Sequence, residues 1–178
     1  MREIIALSLT LAFVCLLSAF SLSFVYQHSK PLIERNREGE LREAVEKVLP
    51  GAKVEYAPLT SGRVFEALNS SSNLIALYKG EKDGREVYAA LISVKGYQGA
   101  IRMLIGFDPG ASEILGVEIL EHAETPGLGS RIEGESFLSQ FKGKLKPKYD
   151  TITGATISSS AVIRGFVNAM RAVMGGER

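Results

Sequence analysis

The chain has 178 residues, a formal net charge of +1, 46% hydrophobic residues and one cysteine, which suits one globular domain plus an apolar segment. The near-neutral balance, with no basic stripe and no interleaved aromatics, argues against nucleic acid as the main partner. Lone Cys15 and two histidines, His28 and His122, cannot supply a Cys-x-x-Cys pair, a haem attachment sequence or a His/Cys zinc site, so any redox chemistry must use another cofactor.

In chain order, Ile4 to Tyr26 carries no charge and is rich in Leu, Phe, Ala and Val. At about 1.5 Å per residue it is long enough to cross a hydrocarbon core of about 30 Å. It exceeds the ~7–15 apolar residues of a signal peptide and ends without a small-x-small cleavage site, so a retained anchor is predicted. Cys15 sits mid-segment as a small apolar group, and Ala12-Phe13-Val14 before it does not form a lipoprotein site. Pro31 to Leu49 reads as a charged helix with Leu41, Val45, Val48 and Leu49 on one side and a Pro50-Gly51 stop. The predicted organisation is an anchor over 1–28, a linker helix over 29–51 and one soluble domain over 52–178.

Six short β-like runs follow: Val54–Tyr56, Val64–Ala67, Leu74–Lys79, Glu86–Lys95, Ala100–Phe107 and Ile114–Leu120. The stretches Gly80–Gly84, Gly96–Gly99 and Asp108-Pro109-Gly110 supply turn residues between them. Connections this short imply antiparallel pairing, because parallel strands need crossovers of a dozen or more residues. Glu135 to Phe141 reads as a short helix before the basic loop Lys142 to Lys148. A last helix, starting near Ile157, repeats Val162, Ile163, Phe166, Val167, Met170, Val173 and Met174 at helical spacing and is expected to cover the sheet. The predicted class is α+β: a transmembrane helix, then an antiparallel sheet covered by helices.

Two segments carry chemistry. Asp150-Thr-Ile-Thr153-Gly154-Ala155-Thr156 directly precedes the last helix, whose unpaired first-turn amides and positive dipole end would stabilise a phosphate held at Thr156. Gly154 and Ala155 keep the approach open. Taken alone, this stretch is also what a turn and a helix cap look like. The second segment, His122-Ala-Glu124-Thr125-Pro-Gly127-Leu128-Gly129, stands where a strand ends, and a Gly96-Tyr97 turn with Gly99 lies upstream.

These three segments, in their order along the chain, resemble the FMN-binding domain shared by the G subunit of the Rnf ion-translocating electron transport complex and the C subunit of the sodium-translocating NADH:quinone reductase. The resemblance implies that Thr156 carries FMN through a phosphoester, with Asp150, Thr153, Gly154 and Ala155 completing the acceptor sequence. It also implies that the Glu-Thr-Pro-Gly-Leu-Gly loop lines the flavin site. Leu128 would then offer an apolar surface to the ring, Gly127 and Gly129 exposed amides, and Thr125 a donor. Glu124 either accepts from the flavin or caps the loop's own amides. Tyr97 either stacks near the flavin or packs on its own hairpin. His122 is more simply a bonded strand-end residue than a proton donor. No Gly-x-Gly-x-x-Gly fingerprint, P-loop or catalytic dyad is present, so a carrier of electrons is expected, with no catalytic or metal-binding residues of its own.

The implied partners are the other membrane and iron–sulfur subunits of an Rnf complex, a flavin transferase during maturation, and membrane lipid. The implied location is the cytoplasmic membrane, single-pass, with the FMN domain extracytoplasmic, although Lys30, Arg35, Arg37 and Arg42 after the span against Arg2 before it would by charge alone place the domain inside. The quinone-reductase C subunit and a membrane-anchored scaffold without flavin remain the alternatives.

Overall fold

The computed structural model describes residues 1–174. Helix α1 runs Arg2–Val48, followed by β1 (Lys53–Glu55), α2 (Arg63–Ser71), β2 (Leu74–Lys82), β3 (Arg85–Lys95), β4 (Ala100–Asp108) and β5 (Glu113–Glu121). A 3-10 turn (Gly129–Glu133), the short helix α3 (Glu135–Leu138), a second 3-10 turn (Ser139–Phe141) and α4 (Thr156–Met174) complete it. The chain divides into two compact units, Met1–Glu40 and Leu41–Arg178.

In the first unit, α1 has one stretch long and apolar enough to cross a membrane, its side chains exposed. The sequence predicts a new helix beginning at Pro31, yet α1 continues through it. Proline forgoes one backbone donor but already holds a helical φ, so the helix on either side carries it.

In the second unit, five antiparallel strands pair in chain order, β1-β2-β3-β4-β5. Asp83 and Gly84, both at positive φ, close the two-residue turn between Lys82 and Arg85, the backbone that Asp-Gly hairpins adopt. Strand β2 therefore extends to Lys82, past the Gly80 at which a turn was expected. Alternation along the strands gives the sheet two apolar faces. Tyr88, Ala90 and Ile92 of β3 and Ile101, Met103, Ile105 and Phe107 of β4 face Val162, Phe166, Ala169 and Met170 of α4. Val87, Ala89 and Leu104 face Ala44, Val45, Val48 and Leu49 at the end of α1. The sheet is thus covered on both faces, and the apolar stripe read in the linker helix is the cover of the second.

The run Val64–Ala67, expected as a strand, is helical. A four-residue apolar run does not distinguish the two periods. What decides is that Val64 and Leu68, one turn apart, both reach the core beside α4, with Leu68 fully buried.

Candidate functional site

The site rests on how the segment before α4 is held. Phe141, Tyr149 and Phe166 form an aromatic cluster, with ring centroids 4.6 Å apart for Phe141–Phe166, 5.2 Å for Phe141–Tyr149 and 5.4 Å for Tyr149–Phe166. Each such pair adds about 0.5–1.5 kcal/mol beyond burial, which fixes Tyr149 and so the start of the motif. From there each support grips the backbone. The Gln140 side chain accepts from the Asp150 N–H at 2.8 Å and donates to the Asp150 carbonyl at 3.2 Å. Ser159 Oγ accepts from the Ile152 N–H at 3.1 Å and donates to the Ala155 carbonyl at 2.8 Å. Arg131 donates to the Thr153 carbonyl at 3.1 Å. None of these bonds uses the Thr156 side chain, which is exposed on the first turn of α4. Around it the first-turn amides have no helical acceptors, as at any helix start.

The second motif meets the first through Glu124, which is 4% exposed. One carboxylate oxygen accepts from the amides of Tyr97 at 2.8 Å and Gln98 at 3.1 Å, and the other accepts from Ser158 Oγ at 2.5 Å across 34 residues of sequence. Burial pushes this carboxyl up. The Ser158 hydroxyl and the amides of Gln98, Tyr97 and Gly99 outweigh that and hold it below the ordinary glutamate range. Space for the carboxylate comes from Gly96 and Gly129: a Cβ on either would collide with Glu124. Glu124 therefore binds the Gly96–Gly99 turn, its own loop and α4 to one another. Of the two roles open in sequence, the geometry favours capping amides, with Ser158 as a further partner.

His122 is similarly committed. Its Nδ1 accepts from the Glu124 N–H at 3.0 Å and its Nε2 lies 2.7 Å from Glu133 Oε1, so both ring nitrogens hold the loop.

Above Glu124 opens a cavity of about 450 Å³, in the size range of small-molecule sites, lined by Tyr97, Glu124, Thr125, Leu128, Gly129, Gly154, Ala155, Thr156, Ile157 and Ser158. Eight of the eleven residues singled out in sequence line it. Asp150, Thr153 and Gly127 do not: Asp150 and Thr153 lie in the supporting segment, and the Gly127 N–H donates to Ser130 Oγ at 2.9 Å. Ile157 and Ser158 were missed, as were the supports Gln140, Arg131 and Ser159. The run of three serines at 158–160 in an otherwise apolar helix start was the available signal; the structure buries and hydrogen-bonds Ser158 and Ser159.

The lining fits FMN in kind. Tyr97, Leu128 and Ile157 present large apolar surfaces at its mouth, 65%, 52% and 57% exposed, where an aromatic ring system needs flat apolar contact. The exposed hydroxyl and free helix start at Thr156 suit a phosphate.

Comparison with known proteins agrees. Residues 96–171 match the FMN-binding domain family. The G subunit of the ion-translocating oxidoreductase complex of Haemophilus influenzae is 32% identical over 86% of this chain and 82% of its own length. Its namesake in Methanosarcina acetivorans is 28% identical over 99% and 97%. The G subunit of a proton-translocating ferredoxin:NAD(+) oxidoreductase complex from Clostridium ljungdahlii is 29% identical over 97% and 92%. The crystal structure of the C subunit of a Na(+)-translocating NADH-quinone reductase from Parabacteroides distasonis shares the fold, with a TM-score of 0.51 and 22% identity over 79% of this chain and 84% of that one. The chain belongs to the family of G subunits of ion-translocating oxidoreductase complexes, as an FMN-containing electron-transfer subunit.

Proposed function

We propose that this chain relays electrons within an Rnf-type ferredoxin:NAD oxidoreductase through FMN esterified to Thr156. The observation that carries the covalent link is the exposed Thr156 side chain at the start of α4, at the mouth of the cavity ringed by Tyr97, Leu128 and Ile157, while every support of its segment grips backbone or a different side chain. The flavin supplies the redox chemistry. The protein's part is to hold it: Thr156 as the anchor, α4 amides toward the phosphate, the Thr125–Gly129 loop and Tyr97 along the ring, and Glu124 and Ser158 as the joint beneath. Asp150, Thr153, Gly154 and Ala155 belong to the sequence that a flavin transferase reads.

A covalent tether suits so open a site, because affinity no longer has to come from enclosure. Residues 1–28 serve as the anchor, 29–51 as the connecting helix and 52–178 as the flavin domain, held outside the cytoplasm beside the other membrane and iron–sulfur subunits. The quinone-reductase C subunit is the nearer alternative, supported here by fold similarity alone. The experiment is expression with a flavin transferase followed by a denaturing gel. A yellow-fluorescent band is expected in wild type and none in Thr156→Ala. An intact mass without an FMN adduct ends the covalent reading.

A further inference from the structure

The cofactor cavity is not alone on its side of α4. Ile157, Ala161, Arg164 and Asn168 recur at helical spacing on one stripe of this helix. Ile157 belongs to the cofactor cavity, whereas Ala161, Arg164 and Asn168 line a second cavity of about 490 Å³. The end of β3 runs the same way: Val94 and Lys95 line the second cavity and Tyr97 the first. The two hollows are therefore neighbours along one seam between α4 and the end of β3.

They differ in chemistry. The first has an apolar rim of Tyr97, Leu128 and Ile157, which the proposed flavin ring would share with whatever docks over it. The second is lined by Asn69, Asn73, Asn168 and several serines together with Lys95 and Arg164, and no carboxylate belongs to its lining. Among the described residues neither Lys95 nor Arg164 has an ion-pair partner, and the two cations stand together on one lining that holds no acid. An apolar patch flanked by unpaired cations and amide groups is the anatomy of a transient protein interface, where the patch gives contact and the charges give steering.

We infer that this seam is the docking surface for an acidic face of another subunit of the complex, which sets carboxylates against Lys95 and Arg164 and covers the apolar rim beside the flavin. The inference rests on the cofactor reading for its purpose, but its residues and its test stand apart from Thr156. A carboxylate partner satisfies both cations and the amide donors of Asn69, Asn73 and Asn168, which an apolar surface would leave unpaired. Placing the charged contact next to the cavity brings the partner to the side of the domain on which the proposed flavin lies.

The test is site-specific photo-crosslinking in the assembled complex, with p-benzoylphenylalanine at Asn168 of the full chain. The expected result is an adduct to an Asp/Glu-rich segment of another subunit. Its yield should fall about tenfold in Lys95→Glu/Arg164→Glu and at high salt, where screening shortens to a few ångströms. No adduct, adducts only to lipid or to a second copy of this chain, or an adduct to another subunit that is indifferent to both charge reversal and salt overturns the inference. Flavin fluorescence of the same gel band is read separately. A dark band in wild type defeats the Thr156 reading without touching the docking result.

Discussion

A carboxylate buried to 4% exposure is stable only where donors replace its lost water, and Glu124 has the amides of Tyr97, Gln98 and Gly99 and the hydroxyl of Ser158. Glu124→Gln keeps the shape but turns an NH₂ toward a donor, which should cost about 2 kcal/mol and lower the melting temperature by roughly 4–8 °C. The pH dependence has a definite sign. The folded-state pKa is lowered, so this stabilisation is complete above the ordinary glutamate value and is lost as pH falls through the folded one. Melts of the detergent-solubilised chain should show the gap between wild type and Glu124→Gln closing on acidification. A gap that ignores pH would mean that the charge is not what holds the joint.

Gly154 makes a second case at this scale. Its φ of +85° is a region that side chains rarely enter, and an added Cβ would meet only Leu128 at 3.9 Å, an ordinary contact. Sequence alone suggested that glycine here keeps space open. The structure adds that it permits the turn into α4. Gly154→Ala is expected to lose about 1 kcal/mol and keep part of the flavin, whereas Gly154→Val should lose the flavin band as well. Full fluorescence in Gly154→Val would show that the approach to Thr156 lies elsewhere.

At the scale of elements, the close fit of α1 to the sheet depends on a cross-strand glycine pair. Gly106 of β4 stands opposite Gly116 of β5, and a Cβ on either would press on the backbone of Val48, which cannot rotate away. Gly106→Ala should therefore destabilise by about 1–3 kcal/mol, while Gly39→Ala, in α1 with open space around its Cβ, should be neutral or stabilising. Urea midpoints of the two variants check this, and an unshifted Gly106→Ala midpoint would show that the helix end yields. The strands and their antiparallel order were legible because Asp83-Gly84 and the Asp108-Pro109-Gly110 turn are local chemistry, satisfied within a few residues. Helix α2 was not, since Val64 and Leu68 declare a helical period only once α4 is there to bury them. Nor was the second layer of cover, because Gly106 and Gly116 look like flaws in strands until a helix end lies on them. In the site, Thr156 and the Thr125–Gly129 loop could be found by resemblance. The hold of Gln140 on Asp150 and the Glu124–Ser158 joint could not, because each joins residues that only the fold makes neighbours.

For the molecule as a whole, two opposing forces act on the side of the membrane on which the folded unit lies. Lys30, Arg35, Arg37 and Arg42 follow the apolar stretch of α1 against Arg2 before it, and by charge alone the retention of cations inside would hold the C-terminal unit in the cytoplasm. Against this, the charge rule governs short loops, and a folded domain of the size that follows here crosses largely regardless of it. Acidic residues are also interspersed, with Glu34, Glu38, Glu40 and Glu43 among the basic ones and Lys30 beside Glu34 at 4.0 Å, although acids count for little in the rule. The site adds a consideration from its chemistry. Outside the cytoplasm a dissociating cofactor would be lost, so the covalent link proposed at Thr156 would have its use there. A reporter enzyme active only outside the cytoplasm, fused after Arg178, is therefore expected to be active. Replacing Arg2 and the residue after it with a cluster of lysines should raise that activity by strengthening the inward pull on the amino terminus, whereas a silent fusion whose cytoplasmic counterpart is active would put the flavin domain inside and remove the physical reason for tethering it.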